Sequence, residues 1–150
     1  MQSLISSFLF TPGKRSFFKM GFTINDASLT TFQAGLVIAD TTPLDATQGV
    51  YFQKASGSTA LDVYCRKDAT TGSTSALGVA TLTTQATTIG FAYDGKGEVS
   101  FFVNDIKVRS LVASTAFLPT SVLNASFGVG NGAAVAKTLT VDYVFAAEER

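Results

Sequence analysis

The chain has few side chains of the kinds that perform nucleophilic catalysis. Its 150 residues include no histidine and one cysteine, so Ser-His-Asp and Cys-His arrangements cannot form, and neither can a zinc site that uses histidine. Cys65 follows Leu61 and Val63 at alternate positions, which predicts a buried thiol on the inward side of a strand. Because a reactive cysteine needs an exposed, electropositive setting, we predict that Cys65 is unreactive.

Carboxylates are the second group that could do chemistry, because a facing pair can hydrolyse a glycosidic bond. Most of the 11 acidic residues fall in predicted turns, where Asp bonds nearby backbone amides, and Glu148 and Glu149 lie at the C-terminal end. No stretch has the ligand spacing of an EF-hand loop, although a calcium site assembled from several loops stays open. We therefore predict that the protein is not an enzyme, and we assign no catalytic or metal-ligating residue.

One glycine-rich string matches a cofactor motif. The letters "GVGNGA", at residues 128–133, fit the G-x-G-x-x-A pattern of dinucleotide sites. That site needs a helix to begin there and hold the pyrophosphate, but a short stretch and then a strand pattern follow. We therefore predict a loop with a permissive backbone, and no cofactor.

Aromatic side chains offer the remaining chemistry, since they can form a platform for a sugar ring. The chain has no tryptophan, so such a platform would use its four tyrosines, Tyr51, Tyr64, Tyr93 and Tyr143. The alternation of apolar residues places two or three of these rings in the core. A bound glycan therefore stays open as an alternative.

The composition excludes some classes of partner. Lys and Arg number 11 and balance the 11 acidic residues, so no basic stripe exists to bind nucleic acid. No run of about 18 apolar residues could span a membrane, and "MQSLISSFLF" lacks the basic start of a signal peptide. We expect a soluble protein that is not exported. Charged residues are 15% of the chain, so either a partner covers part of the surface or Thr, Ser and Gly supply its polarity.

A period of two dominates the chain. Apolar residues at Phe18, Met20 and Phe22 alternate with polar ones, and the same alternation recurs in about ten short runs separated by turn clusters. This pattern indicates an all-β, antiparallel two-sheet sandwich, or a barrel, built as one domain of residues 1–150. Helix is limited to about one turn within residues 40–49.

The first residues, "MQSLISSFLFTP", form a separate feature. They are too apolar for a solvated tail, yet serines break any strand or helix pattern, so the segment must be held by something. It either completes an edge of its own sheet or acts, within residues 1–15, as an arm on a neighbouring molecule. The candidate partner-binding residues of such an arm are Leu4, Ile5, Phe8, Leu9 and Phe10.

Two stretches resemble the concanavalin A-like jelly rolls. "GEVSFFVNDIKVRSL" resembles their central hairpin, with Asp105 where that superfamily most often has Gly. "LTVDYVFAAEER" resembles their last strand, including the "vDYv" of laminarin-type glucanases. Those enzymes carry an E-x-D-x-E motif, which this chain lacks, so the resemblance implies the jelly-roll scaffold without the enzyme.

A second resemblance covers about residues 17–150. The ordered stretches "AGLVIADTTPLDATQGVYFQK", "FAYDGKGEVSFFVNDIKV" and "LNASFGVGNGAAVAKTLTVDYVFAAEER" resemble jelly-roll virion proteins of tailed bacteriophages. That family implies a capsid decoration or cement protein, made in the host cytoplasm and located on the virion. Its implied partners are the major capsid protein and copies of itself in a homo-oligomer.

Two functional hypotheses follow for the chain. The first is the decoration protein, which would stabilise the phage head by binding only the assembled shell. The alternative is a lectin-like, glycan-binding module for host attachment on the virion. Glycan binding by the purified protein would discriminate the two.

Overall fold

Every regular element that the structure describes is a β-strand. The computed structural model describes residues 8–39, 44–68 and 72–150. Its ten strands are β1 (Ser16–Ile24), β2 (Thr30–Val37), β3 (Gly49–Lys54), β4 (Ala60–Arg66), β5 (Ser73–Thr81), β6 (Thr87–Tyr93), β7 (Glu98–Val103), β8 (Ile106–Val112), β9 (Asn124–Asn131) and β10 (Leu139–Glu148). The predicted all-β architecture of about ten strands is confirmed. Residues 44–48, where the sequence allowed part of a helical turn, form a turn and bends instead.

The strands form two antiparallel sheets of five strands each. Sheet I has the order β10-β1-β6-β7-β8, and sheet II has the order β5-β4-β3-β2-β9. After β1 the chain crosses to sheet II for β2 to β5, then returns to sheet I for β6 to β8. β9 and β10 take edge positions in sheet II and sheet I. Strands that are far apart in sequence therefore become neighbours, with β1 lying between β10 and β6.

The core lies between the two sheets and is rich in phenylalanine. Rings from opposite sheets meet there: Phe22 of β1 stacks on Phe32 of β2 with ring centroids 4.7 Å apart. Phe52 of β3 contacts Phe101 of β7 edge-on at 5.4 Å. Aromatic pairs of this kind contribute about 0.5–1.5 kcal/mol beyond the area that they bury. They fix the two sheets relative to one another and so define two outer faces.

Cys65 lies on the inward side of β4, as the alternation predicts. Its Sγ donates to the carbonyl oxygen of Phe117 at 3.4 Å. Burial raises the pKa of the thiol to about 12, so little thiolate exists at neutral pH. The side chain therefore serves packing.

The structure describes the N-terminal segment from Phe8 onward. Phe8 exchanges two backbone hydrogen bonds with Leu123, next to the start of β9. Phe10 is buried and contacts the ring of Tyr93 edge-on at 5.4 Å, whereas Leu9 is 39% exposed. Phe8 and Phe10 therefore lie on the core of their own chain.

Two of the five candidate arm residues, Leu4 and Ile5, lie outside the described residues. A contact of this segment with a partner stays a prediction.

Candidate functional site

The structure separates the four tyrosines that the sequence offers as a sugar platform. Tyr93 is buried in the core, as expected for part of the set. Tyr143 is 41% exposed on the outer face of sheet I. Tyr51 and Tyr64 come together on the outer face of sheet II, where their rings stack 5.2 Å apart at 17°. This pair is the aromatic centre of the candidate site.

The strand register explains why the two tyrosines meet. Val50 and Phe52 of β3 point into the core, so Tyr51 between them points outward. On β4, Tyr64 lies directly opposite Tyr51 in the antiparallel pair. A cross-strand aromatic pair on one face of a sheet stabilises it by about 0.2–1 kcal/mol.

Residues 44–48 cover the Tyr51 side of this face. The Tyr51 hydroxyl donates to the carbonyl oxygen of Ala46 at 3.2 Å, and Arg66 Nη1 donates to the same oxygen at 3.0 Å. Gln53 Nε2 donates to the carbonyl oxygen of Leu44 at 3.3 Å. Burial raises the pKa of Tyr51, although Arg66 opposes this shift. Tyr51 therefore acts as a support beneath the covering segment.

The Tyr64 side of the face is open toward β5. Tyr64 is half-buried and lies opposite Ser75 of β5, and Arg66 lies opposite Ser73. Both serines are exposed and small. Tyr51 covers one side of the Tyr64 ring, so the other side has a short hydroxyl-bearing neighbour. We name the outward surface of Asp62, Tyr64, Arg66, Ser73 and Ser75 the Tyr64 face.

The two ends of the Tyr64 face carry opposite charges. Asp62, Tyr64 and Arg66 occupy alternate positions of β4, so all three point to the same side. Asp62 Oδ1 accepts a hydrogen bond from the Gly78 amide at 2.7 Å, which holds the carboxylate beside β5. Arg66 Nε is buried and donates to no atom of residues 8–39, 44–68 and 72–150. A carboxylate and a guanidinium thus flank the ring, separated along the strand.

Protonation keeps the Tyr64 hydroxyl available as both donor and acceptor. Burial raises the pKa of Tyr64, and the carboxylate of Asp62 adds to the rise, while Arg66 lowers it. The phenol is therefore neutral at physiological pH. The face presents one ring surface and a mixed set of donors and acceptors, which suits a ligand rich in hydroxyl groups.

Sequence reasoning named Tyr64 but missed Asp62, Arg66, Ser73 and Ser75 as members of a site. A signal for the β4 residues existed, because "DVYCR" places Asp62, Tyr64 and Arg66 on the side of the strand opposite Cys65. No signal in the sequence identified the β5 serines, because their position depends on the β4–β5 register.

The glycine-rich string at residues 128–133 does not form the predicted loop over its first four residues. β9 continues to Asn131, and Gly128 and Gly130 lie within it without positive φ. A Cβ on Gly130 would lie 2.9 Å from Leu44 Cδ1. The glycine at this position is therefore not needed for a left-handed backbone, and a larger residue there would displace the end of the Leu44 side chain.

The part of the chain that the structure describes holds no group of three or more Cys, Asp or Glu side chains that could bind a metal ion. None of its residues belongs to a helix long and apolar enough to cross a membrane.

Comparison with known proteins identifies the architecture. No family model and no curated protein matches the sequence. Among solved structures, the galectin LEC-6 of Caenorhabditis elegans aligns with a TM-score of 0.56 and 18% identity, over 95% of this chain and 88% of that one. Sheep galectin-11, solved in complex with glycerol, aligns at 0.60 and 14%, over 98% and 96%. The fold is a concanavalin A-like jelly roll.

The same jelly roll also occurs in an enzyme. The alginate lyase AlyC3, in complex with dimannuronate, aligns with a TM-score of 0.61 and 11% identity, over 96% of this chain and 68% of that one. At these identities the similarity shows the fold alone. None of these three structures is a virion protein, so the capsid role, the capsid partner and the virion location remain predictions from the sequence.

Proposed function

We propose that this protein is a carbohydrate-binding jelly-roll module that holds its ligand on the Tyr64 face. The observation that carries the proposal is the open side of the Tyr64 ring, flanked by Asp62 and Arg66 and bordered by two exposed serines. This is the lectin-like alternative of the sequence analysis, now with a location on sheet II.

The arrangement matches what a sugar ring requires. The apolar C–H surface of a pyranose packs on the free side of the Tyr64 ring, while its hydroxyl groups donate to Asp62 and accept from Arg66. The hydroxyls of Ser73 and Ser75 add donors and acceptors at the β5 side. With one acidic and one basic group, the face favours a neutral saccharide over a strongly anionic one.

The comparisons support the proposal through the fold. Two of the aligned structures are galectins, one of them holding the polyol glycerol, and the third holds a disaccharide. A scaffold that accommodates such ligands in other proteins makes a glycan the first class to test here. The fold also occurs in a lyase, but the function proposed for this chain is to bind a glycan without cleaving it.

A glycan array followed by calorimetry on the best ligand tests the proposal. We expect selective binding by the unaltered protein and a loss of about tenfold or more in affinity for Tyr64→Ala, because the stacking surface is removed. Tyr64→Phe should retain most of the affinity. Tyr143→Ala is the matched control, since it removes an exposed tyrosine from the opposite sheet.

Three outcomes would overturn the proposal. They are the absence of any glycan ligand, equal losses for Tyr64→Ala and Tyr143→Ala, and release of new reducing or unsaturated ends from the bound glycan. The last outcome would identify an enzyme.

The decoration role is a second candidate, favoured by an observation on sheet I. Phe17, Tyr143 and Phe145 are exposed on its outer face, in a chain with few charges. Such a patch suits a protein partner, and the major capsid protein is the one that the virion resemblance implies. Co-sedimentation with assembled phage heads tests this role; a protein that stays in the supernatant at all concentrations contradicts it.

A further inference from the structure

Strand β5 carries a β-bulge beside the Tyr64 face. The pairing of β4 with β5 shifts between Leu61 and Val63, so that Asp62 alone faces residues 77–79 of β5. Gly78 has a φ of 61°, a left-handed conformation that suits glycine. A bulge of this kind re-aims the side chains of the strand that carries the extra residues. It therefore decides which side chain of β5 borders the Asp62 end of the face.

That bordering side chain is Leu77. Ser75 lies opposite Tyr64 and points outward with it, whereas Ala76 packs on the core. By alternation Leu77 points outward again, and it is 71% exposed. Same-side residues of a strand are about 6.6 Å apart, so Leu77 is the next outward side chain after Ser75. An exposed apolar group thus lies at the end of the face where Asp62 lies.

The bulge also orients the carboxylate of Asp62. Its Oδ1 accepts from the amide of Gly78 at 2.7 Å, and Gly78 follows Leu77 directly in the chain. Its Oδ2 accepts no hydrogen bond from the residues that the structure describes. A fixed hydrogen-bond acceptor therefore lies beside an exposed leucine.

An acceptor beside an apolar side chain matches few of the substituents that a sugar ring carries. A hydroxyl group could donate to Oδ2, but packing it against Leu77 would leave its own lone pairs without a donor. A deoxy methyl group could pack on Leu77 but has no hydrogen to donate. An acetamido group has both parts, because its N–H donates and its methyl is apolar, while its carbonyl oxygen stays in water.

We infer that the Tyr64 face selects N-acetylated hexoses and that Leu77 determines this specificity. The inference rests on the proposed function, because it concerns the same site. With the pyranose stacked on Tyr64, the acetamido N–H donates to Asp62 Oδ2 and the methyl packs on Leu77. Tyr64 and Asp62 are about 6.6 Å apart along β4, a distance that the ring and its acetamido group together span.

NMR titrations of the full chain with two pairs of sugars test the inference. The pairs are the methyl glycosides of N-acetylglucosamine and glucose, and those of N-acetylgalactosamine and galactose. We expect the acetylated member of at least one pair to bind about tenfold more tightly than its partner. Both members of a pair have the same ring, so the difference reports the acetamido group.

Replacement of Leu77 measures the apolar part of the contact. Leu77→Ser should weaken binding of the acetylated sugar by about fourfold, which corresponds to one buried methyl group, and should leave binding of the unacetylated hexose unchanged. Leu77→Met should retain the preference. Val135→Ser is the matched control, because Val135 is 66% exposed and follows β9, at the edge of sheet II opposite to β5.

Replacement of Asp62 measures the hydrogen bond and does not depend on the leucine variants. In Asp62→Asn the amide oxygen still accepts from Gly78, so the NH₂ group takes the place of Oδ2. A sugar hydroxyl can accept from this NH₂ group, whereas an acetamido N–H cannot. Affinity for the acetylated sugar should therefore fall by about tenfold, and affinity for the hexose should fall less.

Two results would overturn the specificity and leave glycan binding standing. They are equal affinities within both pairs, and equal losses for acetylated and unacetylated sugar in Leu77→Ser, which would show that Leu77 only supports the face. Binding of none of the four sugars would also overturn the specificity, and the glycan array then decides the proposed function by itself.

Discussion

The outward side chains of the two sheets differ in how far they are exposed to solvent. On sheet II the outward residues Gln33 and Tyr51 are each 1% exposed, because residues 44–48 cover them. On sheet I the outward residues Phe17 and Phe145 are 37% and 54% exposed. Polar groups are therefore buried on one face while apolar rings meet solvent on the other. The side of a strand on which a residue lies does not by itself determine whether water reaches it.

The side-chain hydrogen bonds of the covered face are more buried than those on the outer face of sheet I. Residues 44–48 are held by side chains of three strands, through Gln33, Tyr51, Gln53 and Arg66. On the outer face of sheet I, the Lys19–Asp105 ion pair and the hydrogen bonds to Glu98 are exposed to solvent. Stability should therefore be more sensitive to changes on sheet II than to changes on sheet I.

The largest expected difference in unfolding free energy between variants of the two sheets concerns their buried glycines. A Cβ on Gly35 of β2 would lie 2.6 Å from Tyr51 Cα and close to the carbonyl oxygen of Val50, both backbone atoms of β3. On β6 a Cβ on Gly90 would meet one carbonyl oxygen at 2.8 Å. We expect Gly35→Ala to cost about 3 kcal/mol of unfolding free energy or more, and Gly90→Ala about 1–2 kcal/mol.

Urea denaturation of the two alanine variants measures this difference. Gly57→Ala, with open space around its Cβ but φ of 83°, controls for backbone strain without a clash. An equal loss for Gly35→Ala and Gly90→Ala would show that the two sheets are equally tolerant.

A smaller difference in unfolding free energy is expected when the basic residues of the two faces are replaced. Arg66→Met removes donors to Ala46 and Tyr51 beneath the covering segment, and we expect it to cost about 1–3 kcal/mol. Lys19→Met breaks an exposed ion pair, and its effect on unfolding free energy should be much smaller than that of Arg66→Met, because solvent screens exposed charges. Chemical denaturation of the two variants checks this ranking; a larger loss for Lys19→Met would reverse it.

The smallest expected effect concerns acid stability and a third region, the end of the sandwich near the start of β10. The ammonium of Lys137, 5% exposed, lies 2.6 Å from Asp26 Oδ2, and together with the amides of Leu29 and Ser28 it lowers the pKa of Asp26 from 3.8 to about 2. Since the folded pKa is the lower one, this contribution is fully present above about pH 4 and is lost as the pH falls toward 2.

Melting temperatures of Asp26→Asn between pH 2 and 6 test this dependence. The variant should be less stable than the unaltered protein at pH 6, with a shallower fall toward pH 2. The slope should decrease without vanishing, because Arg15 also lowers the pKa of Glu149 to about 2. Asp105→Asn, which alters the exposed ion pair, is the control. An unchanged slope in Asp26→Asn would show that the pair with Lys137 does not contribute.

The sequence alone determined the secondary structure and the inward side of most strands. Alternation at Phe18, Met20 and Phe22 is a local property, because successive side chains of a strand point to opposite faces whatever the strand packs against. The same rule placed Cys65 in the core and Arg66 on the opposite side. The absence of histidine likewise excluded whole classes of site without any structure.

Tertiary structure decided which outward residues come together as candidate sites. Tyr51 is outward yet buried, since residues 44–48 fold over β3, and alternation carries no information about a covering segment. The outward row that contains Phe145 and Gly90 crosses β10, β1, β6 and β7, of which β1 and β10 are distant in sequence from the others, so the row exists only once the register of three strand pairs is set. Register depends on the packing of the whole core, because a slip of one residue would turn every side chain of a strand to the other face.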